Sequence, residues 1–284
     1  MHVKKNLSKL AIMGILSSVV IFAPNVVEMP VVSNISIAYA QEDDAYSKRI
    51  QESSDLFLQK KYNEAINICN ELIQNYPNKY GAYNYRSFIY LSINQYDKAL
   101  EDIDKAIGLV DHNKDFEQLP YMYERKADIY EAMHKSDNAR EFKEKELEAY
   151  TNVIKRKPND PVIYTLRGHL YDDLGEYQKA IADFKKAATL PHHLDEQVKK
   201  NMDNLGLKYT VDTQIASEYF MCGIIYQKIK DYANAIEMYT KGLELNPDDR
   251  VYWLQRAKCY EAIGEKAKAK ADYIEYQVRS KGGH

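Results

Sequence analysis

Glycine and proline are scarce in this sequence. It contains 11 glycines and 8 prolines among 284 residues, roughly half of the usual combined share of about 12%. Folds that depend on many tight turns or on glycine-rich phosphate loops, such as β-sandwiches, propellers and nucleotide-binding folds, are therefore disfavoured. Helices joined by short turns are favoured instead, and an apolar content of 45% is enough to build a folded core.

Cysteine and excess charge of either sign are also lacking. Three cysteines are too few for a disulfide scaffold. The 39 basic and 42 acidic residues nearly cancel, so the sequence gives no sign of nucleic-acid binding. Two alternatives remain for Cys69, Cys222 and Cys259. Cys222 and Cys259 form a disulfide, or all three cysteines are small apolar fillers.

Motifs for catalysis and metal binding are missing. The sequence contains no HExxH, no GxSxG and no glycine-rich phosphate loop. His192 and His193 are adjacent, so they cannot face one site on a helix as ligands at i and i+4 do. The sequence therefore predicts no enzyme activity, no catalytic residue, no cofactor and no metal ion.

Residues 1–40 have the composition of a secretory signal peptide. Three lysines precede an apolar run at 10–23, which is too short for a bilayer that needs about 20 residues. Ala38 and Ala40 provide the small-x-small pattern of signal peptidase cleavage. We expect cleavage after Ala40 and export to the periplasm, the cell envelope or the medium, as in exported bacterial proteins. The alternative is an uncleaved N-terminal anchor.

Tyrosine is abundant, at 25 residues, and it marks an internal repeat. A Tyr-x-x-Ala motif recurs along the chain, and its first two copies are 34 residues apart. The motif begins at Tyr62, Tyr96, Tyr177 and Tyr232. A second motif precedes the later three copies, with tyrosines seven residues apart and a small residue between them. It begins at Tyr83, Tyr164 and Tyr219.

These motifs resemble the tetratricopeptide repeat. The resemblance implies an all-α, right-handed superhelical solenoid of about six helix-turn-helix repeats over residues 41–284. We place the repeats at 46–79, 80–113, 120–160, 161–194, 216–249 and 250–283. Because one repeat cannot bury its apolar face alone, neighbouring repeats are expected to stack.

The repeat pattern explains the small and the aromatic residues. Small residues at positions 8 and 20 of a repeat, such as Ser87 with Ala99 and Gly223 with Ala235, allow its two helices to approach closely. Aromatic residues at positions 4, 11, 17 and 24 fill the space around that contact, and more than half of the tyrosines occupy these positions. No aromatic cofactor site is therefore needed to explain the tyrosines.

Two insertions and one long helix interrupt the period. Residues 114–119 and 195–215 separate repeats, and Glu141 to Lys157 lengthens the second helix of repeat three. Across 194–205, four apolar residues at helical spacing predict a short amphipathic helix. These residues are Leu194, Val198, Met202 and Leu205. Asp195 is the expected cap, Gly206 the expected end, and 207–213 the expected linker. The helix is interpreted as a packed spacer, with a docking feature as the alternative.

Arginine at position 7 and aspartate at position 23 occur together in every second repeat. The pairs are Arg86 with Asp102, Arg167 with Asp183, and Arg256 with Asp272. Repeats one, three and five have neither residue at these positions. Because positions 7 and 23 lie almost symmetrically about the turn near position 15, we predict an ion pair across each of these hairpins.

The resemblance also implies a function. Family members bind extended peptides or helices on a concave face built from first helices, so we expect a protein- or peptide-binding scaffold outside the cytoplasmic membrane. The alternatives are a subunit of an envelope assembly, such as a secretion, pilus or cell-wall machine, and a glycan binder or enzyme that uses the same groove.

Positions 2, 5, 9 and 12 of each first helix are expected to point into that groove. The predicted partner-binding residues are Asn84, Phe88, Leu91, Tyr121, Glu124, Asp128, Glu131, Thr165, His169, Asp172, Phe220, Ile224 and Gln227. The groove is thus predicted to be apolar at its N-terminal end and acidic in its middle. Family members that clamp chaperone tails have Lys and Asn at positions 5 and 9 of their first repeat, where this chain has Ile50 and Ser54.

Overall fold

The structure is a computed structural model that describes residues 44–194, 196–204 and 209–281. These residues form α-helices in tandem and contain no strand, which confirms the all-α prediction. The predicted signal peptide, with Ala38 and Ala40, lies outside the described residues. Across the described ranges, no helix combines the length and apolarity needed to cross a bilayer.

The described chain divides into two compact units. The first ends at Arg156 and contains three helical hairpins. Its helices are α1 (Asp44–Leu58), α2 (Tyr62–Asn75), α3 (Tyr80–Ser92), α4 (Tyr96–Leu109), α5 (Leu119–Ala132) and α6 (Ser136–Arg156). A 3-10 turn at Phe116–Gln118 precedes α5. The 21 residues of α6 confirm the predicted extension of repeat three.

The second unit begins at Lys157 and contains three hairpins and one additional helix. Its helices are α7 (Pro161–Asp173), α8 (Tyr177–Thr189), α9 (Glu196–Asn204), α10 (Val211–Lys228), α11 (Tyr232–Leu245), α12 (Arg250–Ala262) and α13 (Lys266–Lys281). The helix α9 confirms the amphipathic helix predicted between repeats four and five, and its Met202 is buried. Asp195, Leu205 and Gly206 lie outside the described residues.

The predicted linker at 207–213 is too long. Helix α10 begins at Val211, five residues before the predicted start of repeat five. The reason is a capping box at its N-terminus, in which the Thr213 N–H donates to the Thr210 hydroxyl and the Thr210 N–H donates to the Thr213 hydroxyl. These two bonds satisfy backbone N–H groups at the start of the helix that have no partner within it, so the helix can begin at Val211.

Every hairpin closes with the same backbone turn. The residue at position 15 of each repeat has a positive φ, and the N–H that follows it donates to the carbonyl of position 11. Gly175 and Gly264 adopt this left-handed conformation without steric cost, while Lys60, Asn94, His134 and Lys230 adopt it despite their side chains. The 6→1 hydrogen bond is that of a Schellman motif. A shared turn thus sets the helix pairing in all six hairpins.

Small residues bring the two helices of each hairpin together. Every residue at positions 8 and 20 is buried, and in two hairpins a serine at position 8 also donates to the facing carbonyl. Ser53 donates to the Ala65 carbonyl at 2.9 Å and Ser87 to the Ala99 carbonyl at 2.7 Å. The close approach inferred from the repeat pattern is therefore present in the structure.

Candidate functional site

The predicted ion pairs are present in all three hairpins. Two nitrogens of each arginine donate to both carboxylate oxygens, at 2.7 Å for Arg86 with Asp102 and at 2.7 and 2.8 Å for Arg167 with Asp183. Arg256 and Asp272 pair at 2.8 and 2.9 Å. The aspartates are buried. The prediction of an Arg–Asp bridge is therefore confirmed, and the role of these residues is structural.

Each paired arginine also lies between two aromatic rings of its own helix. Arg167 lies 5.8 Å from the Tyr164 ring centre and 5.7 Å from that of Tyr171, and Arg86 and Arg256 repeat the arrangement. A lysine at position 19 covers the second ring from the opposite helix, as Lys179 does at 5.3 Å from Tyr171. These lysines were not predicted from the sequence, although their recurrence in repeats two, four and six is a detectable signal.

Four of the predicted partner-binding residues are core residues. Phe88, Leu91, Thr165 and Phe220 are each at most 5% exposed. Neighbouring helices cover them, and Phe88 lies against the Phe57 ring with 4.9 Å between ring centres. Their side chains are not available to a partner in this structure, so the predicted apolar end of the groove is not an open surface.

The acidic part of the prediction is a surface feature of the first unit. Helix α5 carries Glu124, Asp128 and Glu131 on one side, and all three are half-buried. We call these three residues the α5 acidic cluster. One cation reaches it from α6, where the Lys143 amine lies 2.5 Å from the Glu131 carboxylate. Three carboxylates thus share one side of α5, and the Lys143 amine is paired with Glu131.

The crowding of carboxylates changes the protonation of Asp128. Burial raises its pKa well above the usual aspartate range, and the nearby charges of Glu124 and Glu131 raise it further. Lys143 and Arg125 act in the opposite direction and do not cancel the rise. The cluster therefore gains favourable interactions from any added cation.

Tyr121 and Asn84, the remaining predicted residues of the first unit, have partners of their own. The Tyr121 ring meets the buried Tyr150 ring edge-on at 6.4 Å. Asn84 is held by Arg125, whose guanidinium donates to the Asn84 carbonyl at 2.7 Å and also to its side-chain oxygen. The same guanidinium covers the Phe88 ring at 5.3 Å. Arg125 is a buried cation that the sequence analysis did not single out.

The other predicted residues lie in the second unit and have partners there. Asp172 accepts hydrogen bonds from the Lys228 amine at 2.7 and 2.5 Å. Gln227 accepts a bond of 2.9 Å from the Tyr239 hydroxyl. The His169 ring contacts Phe184 with 5.0 Å between ring centres, and Ile224 is half-buried. The negative charge of Asp172 is therefore already paired with the Lys228 amine.

Glu218 is a buried carboxyl group that the sequence analysis missed. One of its oxygens lies 2.7 Å from the Thr165 hydroxyl, and the other has no hydrogen-bond partner among the described residues. The Thr165 hydroxyl also lies 3.1 Å from the Pro161 carbonyl, which can only accept. Both contacts of Thr165 are satisfied if Glu218 is protonated and donates to it. Burial raises the pKa of Glu218 well above its usual range.

We expect Glu218→Gln to stabilise the protein at pH 7–8. The raised folded-state pKa means that stability falls as pH rises from the ordinary glutamate range towards that value, by at most about 1.4 kcal/mol per pH unit. Glutamine can donate to Thr165 without titrating, so it removes this loss. Chemical denaturation between pH 5 and pH 9 measures the effect. Parallel curves for the variant and the parent would show that Glu218 does not titrate in this way.

The cysteines and histidines form no reactive centre in the described part of the chain. Cys69, Cys222 and Cys259 are free thiols and buried, which favours the apolar-filler alternative over a disulfide. His192 contacts the Ala187 carbonyl and the Gln214 side chain, each at 3.0 Å. No three His, Cys, Asp or Glu side chains within 44–194, 196–204 and 209–281 are placed to hold a metal ion.

Comparison with known proteins agrees with the architecture. Models described as tetratricopeptide repeat match residues 54–79, 162–191 and 216–249. A TPR repeat-containing protein of Methanocaldococcus jannaschii is 28% identical over 215 residues, which are 67% of this chain and 35% of that protein. Hsp70-Hsp90 organizing protein 2 of Arabidopsis thaliana is 30% identical over 116 residues, which are 41% of this chain and 17% of that protein.

The fold has a solved counterpart. The C-terminal part of a TPR repeat-containing protein from Cytophaga hutchinsonii superposes with a TM-score of 0.55 at 23% identity, covering 82% of this chain and 80% of that chain. The present chain spans about a third or less of the two curated relatives, whose names do not describe enzymes.

Tandem α-hairpins with a shared turn and a small-residue contact define a helical repeat protein. The matched models identify the repeat, and this chain is a member of the tetratricopeptide-repeat superfamily. Its architecture is that of a scaffold for protein interactions.

Proposed function

We propose that this protein is a scaffold that binds a basic segment of a protein partner at the α5 acidic cluster. The single observation that carries the proposal is the placement of Glu124, Asp128 and Glu131 on one side of α5, where Glu124 and Glu131 lie close enough to raise the pKa of Asp128. A lysine or arginine of a partner would relieve the repulsion among these carboxylates. Tyr121 provides a half-buried aromatic ring at the start of the same helix face.

The ligand of chaperone-tail clamps does not fit the first repeat. Ile50 and Ser54, which occupy the positions of the clamping Lys and Asn in family members, are 1% and 2% exposed. Neither side chain can reach a carboxylate ligand. The similarity to an Hsp70-Hsp90 organizing protein therefore supports protein binding in general. The partner proposed for the α5 acidic cluster is basic, whereas the ligand of a chaperone-tail clamp is a carboxylate.

The proposed place of action is outside the cytoplasmic membrane. Its support is the sequence of residues 1–40, with its basic start, its short apolar run and its Ala38-Tyr39-Ala40 cleavage pattern. An envelope assembly is the context in which such a scaffold would work. N-terminal sequencing of the exported chain tests this part independently of the binding site, because cleavage after Ala40 exposes Gln41.

Neutralising the cluster should weaken binding of a basic ligand. We expect Glu124→Gln combined with Asp128→Asn to reduce affinity for a labelled peptide of alternating lysine and apolar residues by at least about ten-fold, equivalent to about 1.4 kcal/mol. The loss follows from removing the charge of Glu124 and the charge that Asp128 would carry when a lysine contacts it. Fluorescence anisotropy measures it. Affinity for the parent should also rise with pH through the raised pKa of Asp128, since only the ionised carboxylate attracts a cation.

A matched control uses carboxylates outside the cluster. Glu141→Gln combined with Glu144→Gln removes two exposed charges from α6 and should change affinity less than about two-fold. Equal binding by the two double variants would contradict the proposal. The partner-binding site would then lie elsewhere, such as the long helix α6 or the 195–215 insertion.

A further inference from the structure

The last helix presents an apolar surface that no described residue covers. On the exposed side of α13, four apolar residues follow one another at intervals of 4, 3 and 4, which places them on one side of the helix. Ile274 is 49% exposed and Val278 is 61% exposed. On the opposite side, Ala269 and Asp272 are buried. We call the exposed residues the α13 stripe, which consists of Ala267, Ala271, Ile274 and Val278.

The stripe is specific to the last repeat. The same four positions in the second helices of the other five repeats hold Asn, Gln, Asp, Glu, Lys, Thr, Ala or Gly, and none holds Val, Ile, Leu, Met or an aromatic residue. In α6, for example, they are Asp137, Glu141, Glu144 and Glu148. The usual chemistry of this helix side is therefore hydrophilic, and α13 departs from it at Ile274 and Val278.

The third position of the stripe is where one repeat contacts the next. Asn70 accepts a bond from Arg86 at this position in repeat one, and Thr240 accepts one from Arg256 at 3.0 Å in repeat five. Ile274 occupies the position in α13 and cannot accept a hydrogen bond. The stripe thus continues the interface between repeats, but with an apolar surface in place of polar acceptors.

The charges around the stripe are basic. Lys266 and Lys270 border it, and neither has an ion pair among the described residues. The acidic residues of α13 are already engaged, Asp272 with Arg256 and Glu275 with Arg279. The free charge next to the stripe is therefore positive.

The stripe fits a helix better than it fits a bilayer or a second copy. Ala267 and Ala271 allow another helix to approach closely, as the small residues inside each hairpin do, whereas insertion into a membrane surface is favoured by bulky Trp, Phe and Leu. A second copy would bring the same lysines to the contact, and the like charges would repel. We propose that the α13 stripe docks an amphipathic helix of a protein partner that carries apolar residues at matching intervals and acidic residues beside them.

Binding of designed helical peptides to the full chain tests this proposal. The probe is an 18-residue helix with Leu and Ala at intervals of 4, 3 and 4 and Glu at the flanking positions, and its control has Lys in place of Glu. We expect the acidic peptide to bind at least about ten-fold more tightly than the basic one. Ile274→Asn combined with Val278→Asn should reduce that affinity at least about ten-fold, and Lys266→Glu combined with Lys270→Glu should do the same. Val162→Asn changes an exposed apolar residue of α7 and should have no effect.

Several results would overturn the proposal. They include equal affinity for the two peptides, unchanged binding by both double variants, or binding of anionic phosphatidylglycerol vesicles in preference to the acidic peptide. A concentration-dependent dimer that Ile274→Asn with Val278→Asn abolishes would instead assign the stripe to a second copy. Because the substituted residues Lys266, Lys270, Ile274 and Val278 are exposed, the melting temperatures of the variants should match that of the parent. The α5 acidic cluster is tested separately, because the effect of Glu124→Gln with Asp128→Asn on basic-peptide binding does not depend on the α13 stripe.

Discussion

Arg167→Ala is expected to lower the free energy of unfolding by on the order of 3 kcal/mol. The guanidinium donates two bonds to the buried carboxylate of Asp183 and lies between the rings of Tyr164 and Tyr171. Its removal leaves a buried carboxylate without its cation. Because the hydrogen bonds and the charge of Asp183 raise the pKa of Arg167 further above its ordinary value, the guanidinium stays charged over the usual pH range. Urea denaturation followed by circular dichroism measures the change.

Arg140→Ala is the matched control for this substitution. Arg140 also pairs with a carboxylate, Glu144 at 3.2 Å, but both side chains are exposed. Its removal should cost less than about 0.5 kcal/mol. The comparison separates the effect of a buried, bidentate pair from that of losing one positive charge.

A double-mutant cycle tests the coupling within the pair. Asp183→Ala alone should also destabilise, and the double variant should be less destabilised than the sum of the two single changes. Repeat five has Cys222 and Met238 at the same two positions, so an apolar pair is compatible with the hairpin. Arg167→Leu combined with Asp183→Met should therefore recover most of the loss. Additive single effects would contradict the pairing.

Gly223→Ala is expected to destabilise by about 2–3 kcal/mol, although alanine is the better helix former. A Cβ at Gly223 would lie 2.5 Å from Cε1 of Tyr239. The Tyr239 ring is fully buried, and its hydroxyl donates a hydrogen bond to Gln227. The ring therefore has little room to move. Gly242→Ala should behave in the same way, since its Cβ would overlap the Tyr252 ring. Thermal melts of the single variants measure the effects.

Two other glycines provide a graded control. A Cβ at Gly108 would meet nothing within 4 Å, so Gly108→Ala should raise stability by up to about 1 kcal/mol through helix propensity alone. At Gly168 the nearest atom would be the Phe184 ring at 3.1 Å, and Gly168→Ala should give an intermediate result. If Gly223→Ala is as stable as Gly108→Ala, the Tyr239 ring moves aside and the close contact is not required.

The repeat could be predicted from the sequence because the residues that determine it lie close together along the chain. The Tyr-x-x-Ala motif, the small residues at positions 8 and 20 and the spacing between copies all lie within 34 residues, and the structure places a hairpin with a left-handed residue in each repeat. The alternation of Arg and Asp was equally readable, because two residue types appeared and disappeared together. Arg86 and Asp102 face each other across one turn, so no long-range contact had to be known.

The partner-binding face was harder to predict because burial depends on neighbouring helices. Phe88 and Glu124 both occupy predicted groove positions on first helices, yet Phe88 is buried under Arg125 and Phe57, while Glu124 is half-buried. Helical spacing states which side of a helix a residue occupies. It does not state how closely the next helix covers that side.

The sequence by itself determined the all-α repeat architecture, the ion pairs across hairpins and the small-residue contacts, because each depends on residues one hairpin apart. Only the tertiary structure decided the environment of single polar groups. Asp128 and Asp172 read alike in the sequence, but Asp128 is crowded by Glu124 and Glu131, whereas Asp172 is neutralised by Lys228 from the next hairpin. Electrostatic environment is set by residues distant along the chain, and the packing of helices brings those residues together.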